Sequence, residues 1–379
     1  VSTPRVRFDR HELAGAFGDI GTDLPLLVAL IATCGLDAAS VCIVFGLGQI
    51  ATGLIYGLPM PVQPLKAMAT IMLAGGLSAG TLAGGGLVIG AVMLLLAATG
   101  LLDLLARVVP KDVVRGIQVG LGFTLATLAL QKYVGAEGSG GYLLAAVAFL
   151  ALIGLRGRGG VPAPLVVILL GFGWALAFSL DPGALQGAVG LSAPSFRAPT
   201  RQELLDGALL LALPQIPLSL GNSVIATSQT TRDLFPDRPV SVRRIGFTYG
   251  LMNLIGPWFG GFPVCHGCGG LVGFHNFGAR TGGAPVLYGS LYLLLGLFLA
   301  PGFGEVVKVF PMPVLGVVLL AEAVALMTLA RDVVQDRRSA WLVGLVAAAV
   351  VGLPYGYVVG LVAGTVLSHA LRRGWVAGP

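Results

Sequence analysis

Lys66, with Pro61 and Pro64 just before it, lies in an apolar stretch where a charge and a helix break each need a reason. A lysine at the centre of a membrane helix costs about 2.5 to 3.5 kcal/mol, so its position calls for a partner or a task. Pro61 and Pro64 lack an N–H and interrupt the helix, and Pro64 suits the first position of the helix that follows. About 200 residues later, Pro263-Val264-Cys265-His266-Gly267-Cys268 precedes another short, glycine-rich apolar stretch. Two half-helices facing each other would aim the free N–H groups near Leu65, Lys66, Gly267 and Cys268 at one point. Each helix end acts like roughly +0.5 charge, so with Lys66 the total is about +2, a match for a tetrahedral dianion. Gly267, Gly269 and Gly270 let a ligand approach the backbone closely.

Other polar residues in apolar stretches widen the candidate set. Asp19 and Asp23 stand at i and i+4 with Thr22 beside them, and Glu322 is mid-segment. Two readings of these carboxylates stay open: they carry a coupled proton, or they are structural, capping half-helices or offsetting Lys66. Lys66 is likewise a site cation, the partner of Asp19, Asp23 or Glu322, or a snorkelling side chain, and the first two roles are compatible. Gln63, Gln215, Ser219, Asn222 and Ser223 can donate to an oxyanion, as an ionised carboxylate cannot, with Gln63 and Asn222 first among them. His266 falls at the start of its segment and is expected near the ligand. Cys265-x-x-Cys268 with His266 leaves a tetrahedral metal incomplete, so neither a metal nor a cofactor is expected.

The elements that position these residues follow from composition. Of 379 residues, 56% are hydrophobic and 11% charged, and the mean hydropathy is +0.90. That describes an all-α polytopic membrane protein, whose partner is the lipid bilayer. The 58 glycines and 23 prolines fall within apolar stretches, which reads as closely packed, interrupted helices rather than disorder. Basic residues are scattered through short loops, so the net charge of +6 gives no nucleic-acid surface. Cys34, Cys42, Cys265 and Cys268 lie in apolar segments, which excludes a secreted disulfide scaffold.

Turns and charges divide the chain into about fourteen segments. They run approximately over 13–34, 38–56, 64–75, 81–100, 112–130, 141–155, 162–180, 202–228, 242–256, 266–279, 284–300, 311–329, 339–352 and 354–371. The first stays in the mature chain, being too long and too interrupted by Asp19 and Asp23 for a signal peptide. Because the chain begins at Val1 rather than Met, a few residues are expected to precede it. With both termini cytoplasmic, the inside loops hold most of the 23 basic residues, among them Arg107, Lys111, Arg115, Arg156 and Arg158. Seven segments per half is odd, so the halves, 1–180 and 202–379, must be inverted repeats. Leu24-Pro25-Leu26 matches Ile216-Pro217-Leu218, Pro61-Val62 matches Pro263-Val264, and Val114-Arg115-Gly116 matches Val314-Leu315-Gly316, at similar offsets.

Several blocks together resemble a known family. Gly18-Asp19-Ile20-Gly21-Thr22-Asp23-Leu24-Pro25, Pro59 to Ala67, Asn222-Ser223, Asp233-Leu234-Phe235-Pro236 and Pro263 to Gly270 look like the molybdate transporter family, a branch of the sulfate permease superfamily. The resemblance runs from Gly15 to the last segment. It implies a sulfate permease and uracil permease-like fold with broken helices 3 and 10, and a core domain from 13–100 and 202–300. A gate domain from 101–180 and 301–371 completes the division. It also implies a molybdate site between the two broken helices, served by Gln63, Pro64, Leu65, Lys66, Asn222, Ser223, His266, Gly267, Cys268 and Thr22. Asp19, Asp23 and Glu322 are the candidates for proton coupling. A homodimer and the inner membrane are compatible with it, and the C-terminal regulatory domain of many sulfate permeases is not expected.

Two other functions compete. A nucleobase permease of the same architecture would not need Lys66 beside two helix ends. An intramembrane thiol enzyme using Cys265 and Cys268 is disfavoured because no nucleophile and base pair accompanies them, so no enzyme is expected. Primary pumping would need another subunit, because no G-x-x-x-x-G-K-[ST] loop occurs.

Overall fold

The computed structural model describes residues 5–102, 104, 108, 110–155, 163–179, 181, 183, 187–353 and 355–376. Arg107, Arg156, Arg158 and the expected segment starts at 162 and 354 lie outside them.

The helices of the first half are α1 Arg10–Ala16, α2 Ile20–Cys34, α3 Ala38–Tyr56, α4 Lys66–Gly75, α5 Ala79–Thr99, α6 Lys111–Val134, α7 Gly138–Leu155 and α8 Leu165–Ser179. The second half contributes α9 Arg201–Leu234, α10 Val242–Ile255, α11 Cys268–Asn276, α12 Gly283–Lys308, α13 Met312–Asp332, α14 Arg337–Gly352 and α15 Gly356–Arg372. Seven of the described helices are long and apolar enough to cross a membrane, or up to eight if α1 and α2, bent by 42°, count as one. Against this background α4 and α11 are short, as half-helices must be.

Each half-helix is preceded by an extended segment, and the two segments pair. β1, Gln63–Pro64, runs antiparallel to β2, Val264–Cys265, with Gln63 opposite Cys265 and Pro64 opposite Val264. The helix expected to open at Pro64 opens two residues later, with Leu65 as its N-cap. Pro64 has no amide to give a ladder, and its fixed φ suits the edge of so short a strand. The second helix likewise starts at Cys268, after His266, with Gly267 as its N-cap.

The same device holds both extended segments. From α3, Gln49 donates its Nε2 to the Val62 carbonyl at 2.8 Å and accepts the Val62 N–H at 3.2 Å. From α10, Asn253 donates its Nδ2 to the Val264 carbonyl at 2.6 Å and accepts the Val264 N–H at 2.8 Å. All these groups are buried, so each side-chain amide supplies the donor and acceptor that a buried extended backbone requires. Glycines close the helices around this centre. A Cβ at Gly46 of α3 would lie 2.6 Å from the Gly289 carbonyl of α12, and one at Gly289 would lie 2.5 Å from the Gly46 carbonyl. Only small residues allow two helices to approach so closely.

Candidate functional site

The two half-helix ends meet where β1 and β2 pair, and their amides have different partners. At α4, the Leu65 N–H donates to the Pro263 carbonyl at 3.0 Å. Ala67 N–H and Met68 N–H donate to Oε1 of Gln215 at 3.0 and 3.3 Å, and no acceptor is found among the described residues for the Lys66 N–H. Gln215 is fixed in turn by its Nε2 bond to Ser219 at 3.1 Å, and Ser219 meets the Tyr249 hydroxyl at 2.7 Å. At α11, no oxygen acceptor is found among the described residues for the N–H groups of Cys268, Gly269 and Gly270. A Cβ at Gly269 would meet nothing within 4 Å, so this end borders open space.

Gln63 and Asp19 press against the open end from one side. The Gln63 Nε2 donates to both oxygens of Asp19, at 2.7 and 2.8 Å. A Cβ at Gly267 would collide with Gln63, and one at Gly270 with both Asp19 and Gln63, so glycine is required by this close approach. Gln63 therefore spends its donor on Asp19. Asp23, one turn along α2, is buried, and neither of its oxygens has a hydrogen-bond partner among the described residues. Thr22 is half-buried between the two aspartates in sequence, its N–H donating to the Asp19 carbonyl at 2.9 Å.

Lys66 forms an ion pair with Glu322 of α13, the lysine side chain 32% and the glutamate 11% exposed. Of the partners open to Lys66 in the sequence, the structure selects Glu322, leaving Asp19 on Gln63. His266 is engaged elsewhere. Its Nδ1 bonds the Pro61 carbonyl at 2.9 Å and its Nε2 the Thr248 hydroxyl at 2.7 Å, with Tyr56 edge-on to the ring. With Nδ1 carrying the proton toward Pro61, Nε2 accepts from Thr248, and no ring nitrogen is left over. His266 thus ties the two extended segments together, an arrangement that differs from the expected ligand contact.

Asn222 and Ser223 lie in a π-helical turn of α9, Ser219–Ile225, with Asn222 half-buried and Ser223 buried. π-Helical turns recur at functional sites because they redirect side chains within an otherwise regular helix. Asn222 Oδ1 accepts from Arg115 of α6 at 3.4 Å. Cys265 is buried and Cys268 half-buried, and among the described residues no three His, Cys, Asp or Glu side chains form a group that could hold a metal ion.

The chain is similar to known proteins in sequence and in fold. A family model described as "Molybdate transporter of MFS superfamily" matches residues 11–125 and 207–326. The chain belongs to the molybdate transporter family. It is 34% identical to Molybdate transporter 1 of Arabidopsis thaliana over 85% of this chain and 80% of that one. Molybdate transporter 2 of the same plant is also 34% identical, over 89% and 82%. Among solved structures, it superposes on the transmembrane domain of the cyanobacterial bicarbonate transporter BicA with a TM-score of 0.69 and 16% identity, covering 94% of this chain and 99% of that one. The murine anion transporter Slc26a9 in its inward-facing state gives 0.71 at 13% identity, with 97% and 70% covered. These likenesses establish the sulfate permease type of fold and an integral, multi-pass membrane protein.

For a molybdate transporter family member, the residues least visible in sequence are those that hold backbone rather than ligand. Gln49 and Asn253 were hidden among apolar neighbours, although each precedes its Pro-Val pair by about a dozen residues. Arg115 reads from sequence as a loop charge. It lies in the second turn of α6 instead, its side chain only 13% exposed.

Proposed function

We propose that the chain is a secondary transporter of the molybdate oxyanion, with tungstate a close chemical mimic, and that it has no catalytic role. The observation that carries this reading is the β1–β2 pairing, which brings together the segments that lead into the two half-helix N-termini, Lys66 being the first residue of one, in a polytopic anion-transporter fold. Helix ends and a lysine supply positive charge without a mobile counterion, the requirement for replacing the hydration of a dianion. The oxyanion accepts from the α11 amides of Cys268, Gly269 and Gly270 and from Lys66. Leu65 and Pro64 position the α4 end, and Thr22, Asn222 and Ser223 line the approach.

Because Lys66 is paired with Glu322, a bound dianion and the Glu322 carboxylate compete for one ammonium. Loading then leaves Glu322 either free or protonated, which makes it a coupling group alongside Asp19 and Asp23. Transport follows as the core, 13–100 and 202–300, moves against the gate, 101–180 and 301–371, in two inverted repeats with both termini cytoplasmic. We place the chain in the inner membrane, where a homodimer suits this architecture.

Equilibrium binding of molybdate, tungstate, sulfate and uracil to the purified chain tests the reading. Molybdate and tungstate should bind most tightly. Preference for uracil would replace it with a nucleobase permease.

A further inference from the structure

A charged cavity lies beside Asn222. It has a volume of ≈ 440 Å³ and opens between α6 and α9, lined by Lys111 and Arg115 on one side and by Pro217, Gly221, Asn222 and Gln229 on the other. The charged groups in its lining are the two cations. Both lean on a single carboxylate at the rim. Asp332, 38% exposed, accepts from Arg115 Nε at 3.0 Å and Nη2 at 2.8 Å and pairs with Lys111 Nζ at 2.7 Å. One anion against two cations leaves a net positive charge facing the cavity, whose low-dielectric walls concentrate its field.

The Arg115 guanidinium is held on its other edge as well. Arg115 Nη1 donates to Gln118 Oε1 at 2.9 Å and reaches Asn222 Oδ1 at 3.4 Å. Gln118 is 1% exposed, yet its Nε2 has no acceptor among the described residues, although buried donors are normally satisfied. The opposite wall is the π-helical turn Ser219–Ile225, and a Cβ at Gly221 would meet Val114 alone, 3.8 Å away. Packing of the repeat does not demand this charge, since Val114-Arg115-Gly116 corresponds to Val314-Leu315-Gly316 in the second half.

We propose that this cavity is a second oxyanion-binding site, built on Lys111 and Arg115, which holds the transported anion on its way to or from the half-helix ends. The proposal rests on the oxyanion-transport reading and adds a station to it. Asp332 acts as the internal competitor: it keeps the two side chains in place when the site is empty and weakens the hold on the anion, as a station that must release its cargo requires.

The test is tungstate bound per chain, measured by equilibrium dialysis of the full chain in phosphatidylcholine nanodiscs over a range of NaCl. Two tungstates should bind, the weaker one lost as salt rises. Lys111→Gln, at a 60% exposed side chain that tolerates change, should weaken only that event, by about tenfold. Arg115→Gln should remove it and Asp332→Asn should tighten it. In Lys66→Ala it should be the event that remains. The proposal is overturned if folded Lys66→Ala binds no tungstate, or if Lys111→Gln and Asp332→Asn leave the weaker event unmoved. It is equally overturned if phosphatidylglycerol abolishes that event at fixed salt, for the cavity would then belong to a lipid headgroup. Loss of the Lys66-dependent event in the unsubstituted chain, with the Arg115-dependent one intact, would instead remove the half-helix reading and leave this one standing.

Discussion

The ends of α4 and α11 share a cradle and differ in what fills it. In each repeat a side-chain amide, Gln49 or Asn253, holds the valine after the proline by a donor and an acceptor. Beyond that point the symmetry is broken. By the Leu-Pro-Leu and Ile-Pro-Leu match, Gln215 is the counterpart of Asp23. Gln215 caps two amides of α4, those of Ala67 and Met68, whereas Asp23 has no hydrogen-bond partner among the described residues and caps none at α11. Lys66 and Cys268 are counterparts in the same way, each the first residue of its half-helix. A cation at a helix N-terminus opposes the dipole, so Lys66 stands there against its local preference. Such violations of local preference are expected where function has claimed a position. Repetition thus supplies the scaffold, and departures from repetition supply the charge.

The largest effect should come from removing the charge that has no counterpart in the other repeat. Lys66→Ala should weaken molybdate binding by roughly 100-fold or more, the loss expected when a buried charged partner is truncated. Because that change also strands Glu322, the paired variant Lys66→Ala/Glu322→Gln is the better control for folding. Binding measured calorimetrically on both reads the comparison directly. Unchanged affinity would reduce Lys66 to an ion-pair partner and return the two ends to equivalence.

Next in size is the shared cradle. Gln49→Ala and Asn253→Ala each leave a buried N–H and C=O unpaired, at about 1 to 3 kcal/mol per group. Both should lower thermal stability in detergent by similar amounts and both should reduce transport. A large loss from one and none from the other would show that only one repeat depends on this support, and would break the equivalence argued from geometry.

What the sequence revealed divides along the same line. Proline breaks, intramembrane charges and repeated blocks are properties of residue type and spacing, so the half-helices, Lys66 and the carboxylates were legible. The pairing of β1 with β2 was not, since two-residue strands leave no periodicity. Nor was the choice among partners for Lys66, because Asp19, Asp23 and Glu322 are chemically equivalent on paper and only packing sets Lys66 beside Glu322 and Asp19 beside Gln63. His266 was read as a ligand for its chemistry, yet both its nitrogens are held by Pro61 and Thr248, residues distant in sequence. Where a side chain serves backbone across the two repeats, single-sequence reasoning has no signal to use.

The smallest effect, and the one that most sharpens the comparison, is expected from exchanging the two counterparts in kind. Gln215→Ala removes a cap and should cost about 1 kcal/mol of stability, within the range for lost helix caps. Asp23→Asn removes a carboxylate that makes no hydrogen bond here, so its effect on stability should be small or favourable, an unpaired buried charge being the costlier state. Its effect on coupling should differ. If Asp23 takes up a proton for the dianion to enter, molybdate uptake into proteoliposomes rises with an inward proton gradient in the unsubstituted chain. Asp23→Asn should then flatten that dependence while binding survives. Glu322→Gln is the parallel variant, because Glu322 is the carboxylate paired with Lys66. The flux is read with the proton gradient and membrane potential set independently. Flux indifferent to the gradient at fixed potential and external pH would assign both carboxylates to structure, and the open amides of α11 would then work without a titrating neighbour.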